Sequence, residues 1–282
     1  MSLPRTKKIE NLVREVTNDL PDSNQLASTS NPNGHHVVLT GSTGFLGSYI
    51  LYYLLQNTSV SKIYCLNRSP NGKEKQVLSF AEKGLLSEQA TSSMVEYLQF
   101  DLLKPRLGQS EEAYLALTNC VDTVIHNAWP VDFTCHLEDL SGYVRGMRNL
   151  IDFSTVAKHH PHIFFISTIG TIIHWPDKHS TPVPEEIMED NDMPLQQGYA
   201  ESKQATDQIL KVASSRLGIS CTVIRTGQLA GPTTEKGFWK LQEFYPSLIA
   251  TSISLGQAPL MEGELDKIQW VPRVSVASFR AS

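Results

Sequence analysis

The sequence predicts an α/β fold, a doubly wound parallel sheet with helices on both faces, and three observations carry that prediction. From His35 onward, short apolar runs alternate with longer stretches whose apolar residues recur at helical spacing. The run Val37-Val38-Leu39 leads into three spaced glycines, Gly41, Gly44 and Gly47, and an apolar-periodic segment follows, so the chain reads there as strand, tight loop and helix. With 282 residues, 40% of them hydrophobic and 19% charged, the chain can bury a full-sized core.

Composition narrows the function classes. A formal net charge of −5, with no stripe of Lys or Arg, offers no field for nucleic acid. Cys65, Cys120, Cys135 and Cys221 are far apart and form no C-x-x-C pair, so neither a zinc site nor a disulfide framework is indicated and a reducing compartment is expected. The N-terminus leads into a polar amphipathic stretch and no run approaches a membrane span; the expectation is a cytoplasmic monomer that uses no membrane.

Residues 7–20 place Ile9, Leu12, Val13 and Val16 at helical spacing, as a docking helix or as a disordered leader, and the Ser, Asn and Pro content of 21–34 reads as a linker. Strands are expected at 36–40, 62–66, 95–100, 122–127, 162–167 and 220–225, and the longest helices at 45–56, 74–84, 140–157 and 199–216. That rhythm implies right-handed βαβ units in a Rossmann-type sheet, whose ligands bind outside the carboxyl ends of the strands. Each motif below falls at such an end.

In the loop, Gly41 lets the chain turn off the strand, Gly44 lets backbone approach a pyrophosphate, and Gly47 lets the helix pack closely on the sheet, with Thr43, Phe45 and Leu46 completing the cradle at the helix N-terminus. The G-x-x-G-x-x-G spacing resembles the extended branch of the short-chain dehydrogenase/reductase superfamily. After the second strand, Asn67-Arg68 stands where an acid would bind the ribose hydroxyls of NAD; a guanidinium grips a 2′-phosphate, so NADPH is the expected cofactor, the alternative being a solvated arginine. Asp101 and Leu102 are similar to the superfamily pair that meets the adenine, although Asp101 equally suits a cap. Asn127 and Ala128 resemble the turn lining the cofactor trough, and Gln228, within Arg225 to Pro232, resembles the segment beside the nicotinamide amide.

The fifth strand ends at Ser167-Thr168, hydroxyls that could simply cap the next turn. Further on, Tyr199 and Lys203 stand at i and i+4 on one helix face. Hydride delivered to a carbonyl carbon leaves charge on oxygen and needs a donor in place. Tyr199 suits that role, with Lys203 lowering the phenol's proton affinity and holding the nicotinamide ribose, and Thr168 as second donor.

Together TGSTGFLG, LNR, HNA, Ser167-Thr168, YAESK and RTGQLAG resemble, in order, the terminal thioester reductase domains of non-ribosomal peptide synthetases and of adenylate-forming reductases, including carboxylic acid and aminoadipate reductases. HNAWPVDF and VRGMRNLIDF resemble the fungal branch most. The resemblance implies NADPH-dependent reduction of an acyl thioester on a phosphopantetheinylated carrier protein to an aldehyde, sometimes onward to an alcohol. Two features depart from it. Tyr143 stands where many members carry Asn, and the chain stops soon after Trp270-Val271-Pro272, which in the family precedes a long substrate region. The expected organisation is a linker and helix at 1–33, an NADP-binding domain at 34–232, and an incomplete substrate-binding region at 233–282 opening with helix at 237–251, where Phe238, Trp239, Phe244 and Tyr245 are expected to be exposed or to pair between molecules. Two alternatives stay open: an NADPH-binding fragment with little activity, and a reductase of free carbonyl compounds. The histidines at 35–36, 159–160 and 162 lack metal-ligand spacing and read as surface residues, so no metal is expected.

Overall fold

β-branched and aromatic residues set the sheet, and their alternation sends side chains into two separate cores. In the computed structural model, which describes residues 3–23, 25–231, 238–241, 243–260, 270–272 and 276–277, six parallel strands are β1 (His35–Thr40), β2 (Val60–Asn67), β3 (Val95–Gln99), β4 (Thr123–His126), β5 (His162–Thr168) and β6 (Cys221–Thr226). Their order across the sheet is β3-β2-β1-β4-β5-β6, the doubly wound arrangement, whose crevice opens between β1 and β4. Along β1, Val38 enters one core while Val37 and Leu39 enter the other.

Helices cover both faces, as expected. The first core packs under α1 (Arg5–Thr17), α4 (Glu111–Cys120), α5 (Leu137–Val156) and α7 (Gly198–Leu217); the second packs under α2 (Phe45–Leu54) and α3 (Gly72–Glu82). A single-turn helix α6 (Trp175–Lys178) lies in the long connection between β5 and α7. Beyond β6, β7 (Gln228–Ala230) pairs in parallel with β8 (Trp270–Pro272), and α8 (Phe244–Leu255) lies between them in sequence.

The N-terminal helix docks. Ile9, Leu12, Val16 and Leu20 are buried with residues of α5 and α7, and Arg145 grips Glu15 through two bonds of 2.6 and 3.1 Å. The segment after it runs along the amino ends of the strands: Ser23 and Leu26 N–H groups donate to the carbonyls of Arg216 and Leu217, and Thr29 N–H to that of His159. Asp122, buried at the start of β4, accepts from Asn31 N–H at 2.8 Å and His35 Nδ1 at 3.0 Å.

Two expectations need correction. Of the histidines expected at the surface, only His159 is buried, against Thr29, with Ser28 bonding the His160 carbonyl as residues 21–34 cover that edge; His160 Nδ1 bonds the Ser154 carbonyl and His162 Nε2 bonds Thr222, both half-buried, and the His35 side chain stays 42% exposed. The C-terminal helix starts at Phe244 rather than at 237. Pro246 explains this, since proline is accommodated in the first turn of a helix but breaks an interior. Residue 237 and Pro232, the expected domain boundary, lie outside the described residues. Phe244, at 51% exposure, and Ile253, at 77%, face outward on α8.

Truncating a docked core side chain costs far more than removing an exposed ion pair. Leu12→Ala should therefore lose about 2–5 kcal/mol in urea unfolding, and Glu15→Ala less than about 1 kcal/mol. Equal, negligible losses in both would show α1 undocked in solution.

Candidate active site

Thr40, the last residue of β1, builds the floor of the crevice. Its hydroxyl oxygen accepts the backbone N–H groups of Asn127 (3.1 Å) and Ala128 (3.0 Å) and lies 2.8 Å from His126 Nδ1. With two donors already on that oxygen, the hydroxyl proton goes to Nδ1, which places the ring proton on Nε2. Burial drives His126 down to about 3, with Lys203 adding to the effect, so the ring is neutral. Asn127 Nδ2 reaches across to the Gly41 carbonyl at 3.2 Å.

The glycine loop follows from this closeness. Gly41 takes φ +70°, and a side chain there would meet the Ala128 backbone at 3.0 Å; a Cβ on Gly47 would lie 2.0 Å from the Gly41 carbonyl oxygen. No side chain caps α2 at Gly44, and no acid stands in its first turn, so the amides around Phe45, Leu46 and Gly47 suit an anion. Beneath the loop lies a buried polar network that sequence patterns did not reveal. Ser48 Oγ donates to Gly44 O at 2.8 Å, Ser79 Oγ to the Thr43 carbonyl at 3.2 Å, and Lys83 Nζ to Ser79 Oγ at 2.5 Å.

At the other strand ends the expected residues occupy different settings. Arg68 is exposed, and its Nη1 donates to Tyr143 Oη on α5 at 3.2 Å. Asp101 caps its own turn, accepting from Leu103 N–H at 3.0 Å. The Leu102 side chain is buried in the first core, so only its backbone can face a ligand. Gln228 is exposed on β7, two residues beyond the end of β6.

The remaining residues converge beside β5. Thr168 Oγ1 accepts from Gly170 N–H at 3.1 Å, which leaves the hydroxyl proton available to donate. Lys203 is buried: its Nζ donates to the Ile166 carbonyl at 2.5 Å and stands 4.3 and 4.5 Å from the ring centroids of Phe165 and Trp129. Trp129, missed in the sequence because aromatics are common, is fixed by its indole N–H donating to Ser202 Oγ at 3.2 Å. Phe133 meets the Tyr199 ring edge-on, centroids 5.4 Å apart. One expectation is overturned here. Tyr199 is pushed up to about 12, first by burial and then by the charge of Asp207, whereas Lys203 was expected to lower it. The reason is that Lys203 Nζ bonds the Ile166 carbonyl and stands 5.8 Å from the Tyr199 ring centre.

A 3-2-1-4-5-6 sheet with this loop and this tyrosine–lysine pair defines an NAD(P)-dependent oxidoreductase domain of the extended short-chain reductase type. The chain belongs to the NAD-binding family described as Male sterility protein, whose model matches residues 39–279. It is 39% identical over 271 residues to a carboxylic acid reductase of Neurospora crassa, covering 96% of this chain and 25% of that protein. It is 31% identical to adenylate-forming reductase Nps11 of Serpula lacrymans, covering 97% of this chain and 25% of that protein. The chain thus spans about a quarter of the length of these curated relatives. Among solved structures, the terminal R domain from the myxalamid PKS-NRPS pathway superposes with a TM-score of 0.81 at 24% identity, over 98% of this chain and 68% of that one. A thiolation-reductase di-domain from an archaeal non-ribosomal peptide synthetase gives 0.70 at 21% identity, over 97% and 59% of the respective chains. Both share the fold.

The contact at Gly47 makes a direct prediction. Gly47→Ala should destabilise the chain by about 1–3 kcal/mol in thermal unfolding and abolish nucleotide binding by calorimetry, because the loop must move off β4. Gly44→Ala, whose Cβ would lie 3.1 Å from the Gly41 carbonyl oxygen, should bind measurably. Intact binding by Gly47→Ala would separate loop packing from cofactor recognition.

Proposed function

We propose that this chain binds NADPH and reduces an acyl thioester, carried on a phosphopantetheinylated carrier protein, to an aldehyde. The observation that carries the proposal is the placement of Tyr199, Lys203 and Thr168 at the end of β5, next to a glycine cradle at the crevice, in a chain resembling carboxylic acid and adenylate-forming reductases. The residues present fit the cofactor: the uncapped start of α2 suits a pyrophosphate, and Arg68 suits a 2′-phosphate. On this reading residues 34–232 form the NADP-binding domain, 1–33 its linker and docking helix, and 233–282 part of the region that meets the acyl group.

NADPH, when bound, supplies the hydride. Tyr199, kept protonated at neutral pH by burial, gives its proton to the oxygen of the reduced carbonyl, and Lys203 holds the nicotinamide ribose beside it. The Thr168 hydroxyl donates to the same oxygen. Collapse of the resulting hemithioacetal re-forms the C=O bond and breaks the C–S bond, and the hydroxyl proton ends on the departing thiol. Trp129 and Phe165 shield Lys203 from water, which strengthens its field.

Arg68→Ala should weaken NADPH by about 1–3 kcal/mol in fluorescence titration and leave NADH nearly unchanged; equal losses would remove the assignment. With a loaded carrier domain as substrate, Tyr199→Phe should lower kcat by roughly two to four decades while NADPH affinity is kept. Aldehyde formation at the wild-type rate by Tyr199→Phe, or reduction of free ketones in preference to thioesters, would overturn the reading.

A further inference from the structure

A buried carboxylate lies behind the proposed catalytic pair and has no part in the chemistry above. Asp207 follows Lys203 by four residues and Tyr199 by eight, so the three share one face of α7. It is 1% exposed; Oδ2 accepts the Ser167 hydroxyl at 3.0 Å, and Oδ1 has no hydrogen-bond partner among the described residues. A carboxylate so placed is costly unless a nearby cation compensates it.

The groups facing it are few. From β6 comes Arg225, the register partner of Ser167; it donates through Nη2 to the Glu186 carbonyl, and its buried Nε has no partner among the described residues. From β5 comes the hydroxyl of Ser167. His126 of β4 is neutral and feels the Lys203 charge, and α7 itself contributes Tyr199 and Lys203. Lys203 in turn sits among a carbonyl and two aromatic rings, none of which carries a full charge. Asp207 is the carboxylate of α7 whose charge bears on Lys203.

We propose that Asp207 is a positioning residue, the buried counter-charge that keeps the Lys203 ammonium protonated at neutral pH where water is excluded. The inference rests on the reading of Tyr199 and Lys203 above. Burial pulls Lys203 down, and the charge of Asp207 opposes this; burial pushes Asp207 up, opposed by the Ser167 bond, then Arg225, then Lys203. Each charge therefore opposes the desolvation of the other. Removing the carboxylate should shift Lys203 towards the neutral amine.

The test is a titration of the cofactor-free chain labelled with [13C]lysine, following the Cε resonance of Lys203, assigned by its loss in Lys203→Arg. Asp207→Asn should lower the Lys203 midpoint by about one pH unit or more, as for loss of an opposite charge within a few ångströms. Ser167→Ala keeps the carboxylate but weakens its ionisation, and should move the midpoint the same way by less. It also decides the matter if Asp207→Asn does not fold. An unchanged midpoint in a folded variant would overturn the proposal. In thioester reduction the alkaline limb of kcat should follow the midpoint to lower pH. A shifted midpoint in a chain that reduces no thioester would leave the counter-charge standing and remove the reductase reading, so the two fail separately.

Discussion

One hydroxyl joins the two halves of the sheet. Thr40 accepts the amides of Asn127 and Ala128 and donates to His126, and these bonds hold the end of β1 against the end of β4 where the strand order reverses. The loop geometry depends on that approach. With Ala128 so near, Gly41 has no room for a side chain, and Asn127 can then bond the Gly41 carbonyl against which Gly47 packs. Doubly wound sheets open a crevice at this point; here a neutral histidine, a threonine and an asparagine shape it without placing a charge in it.

The half built from β4, β5 and β6 is governed by burial. Lys203 is carried by an aromatic box and one carbonyl, Tyr199 is held protonated, and Asp207 is enclosed with a single hydrogen bond. In such a setting no group's proton affinity belongs to it alone, because desolvation is large and each neighbouring charge is weakly screened. The half built from β1, β2 and β3 contrasts with this. Its chemistry is borne by backbone amides and by an exposed Arg68, groups suited to meeting a ligand that brings its own charge.

Sequence periodicity made the six strands and the helices α2, α3, α5 and α7 legible, because each is a local pattern, and the glycines and the Tyr199–Lys203 pair were legible because their spacing is fixed by a turn and by a helix. What stayed hidden arises between distant segments. Ser48, Ser79 and Lys83 are ordinary polar residues until α2 and α3 bring them under the loop. His159 looked solvated because nothing in its spacing shows that residues 28–29 return to cover it. Pro246 was a local signal, and weighing it would have moved the C-terminal helix to its observed start.

Tyr143 links the two ends of the trough. An asparagine at that place would offer an amide; a phenol offers a ring and one hydroxyl. The ring lies 6.0 Å from that of Trp129, which covers Lys203, and the hydroxyl accepts from Arg68. A continuous chain of contacts, Arg68 to Tyr143 to Trp129 to Lys203, thus runs along the trough from the end of β2 to the end of β5. Each cation is met there by an aromatic group or a hydroxyl instead of a carboxylate. Asp207, one helical turn beyond Lys203 on α7, lies behind the lysine and outside the Arg68–Tyr143–Trp129 contacts, where its carboxylate opposes the desolvation of Lys203 without entering the trough.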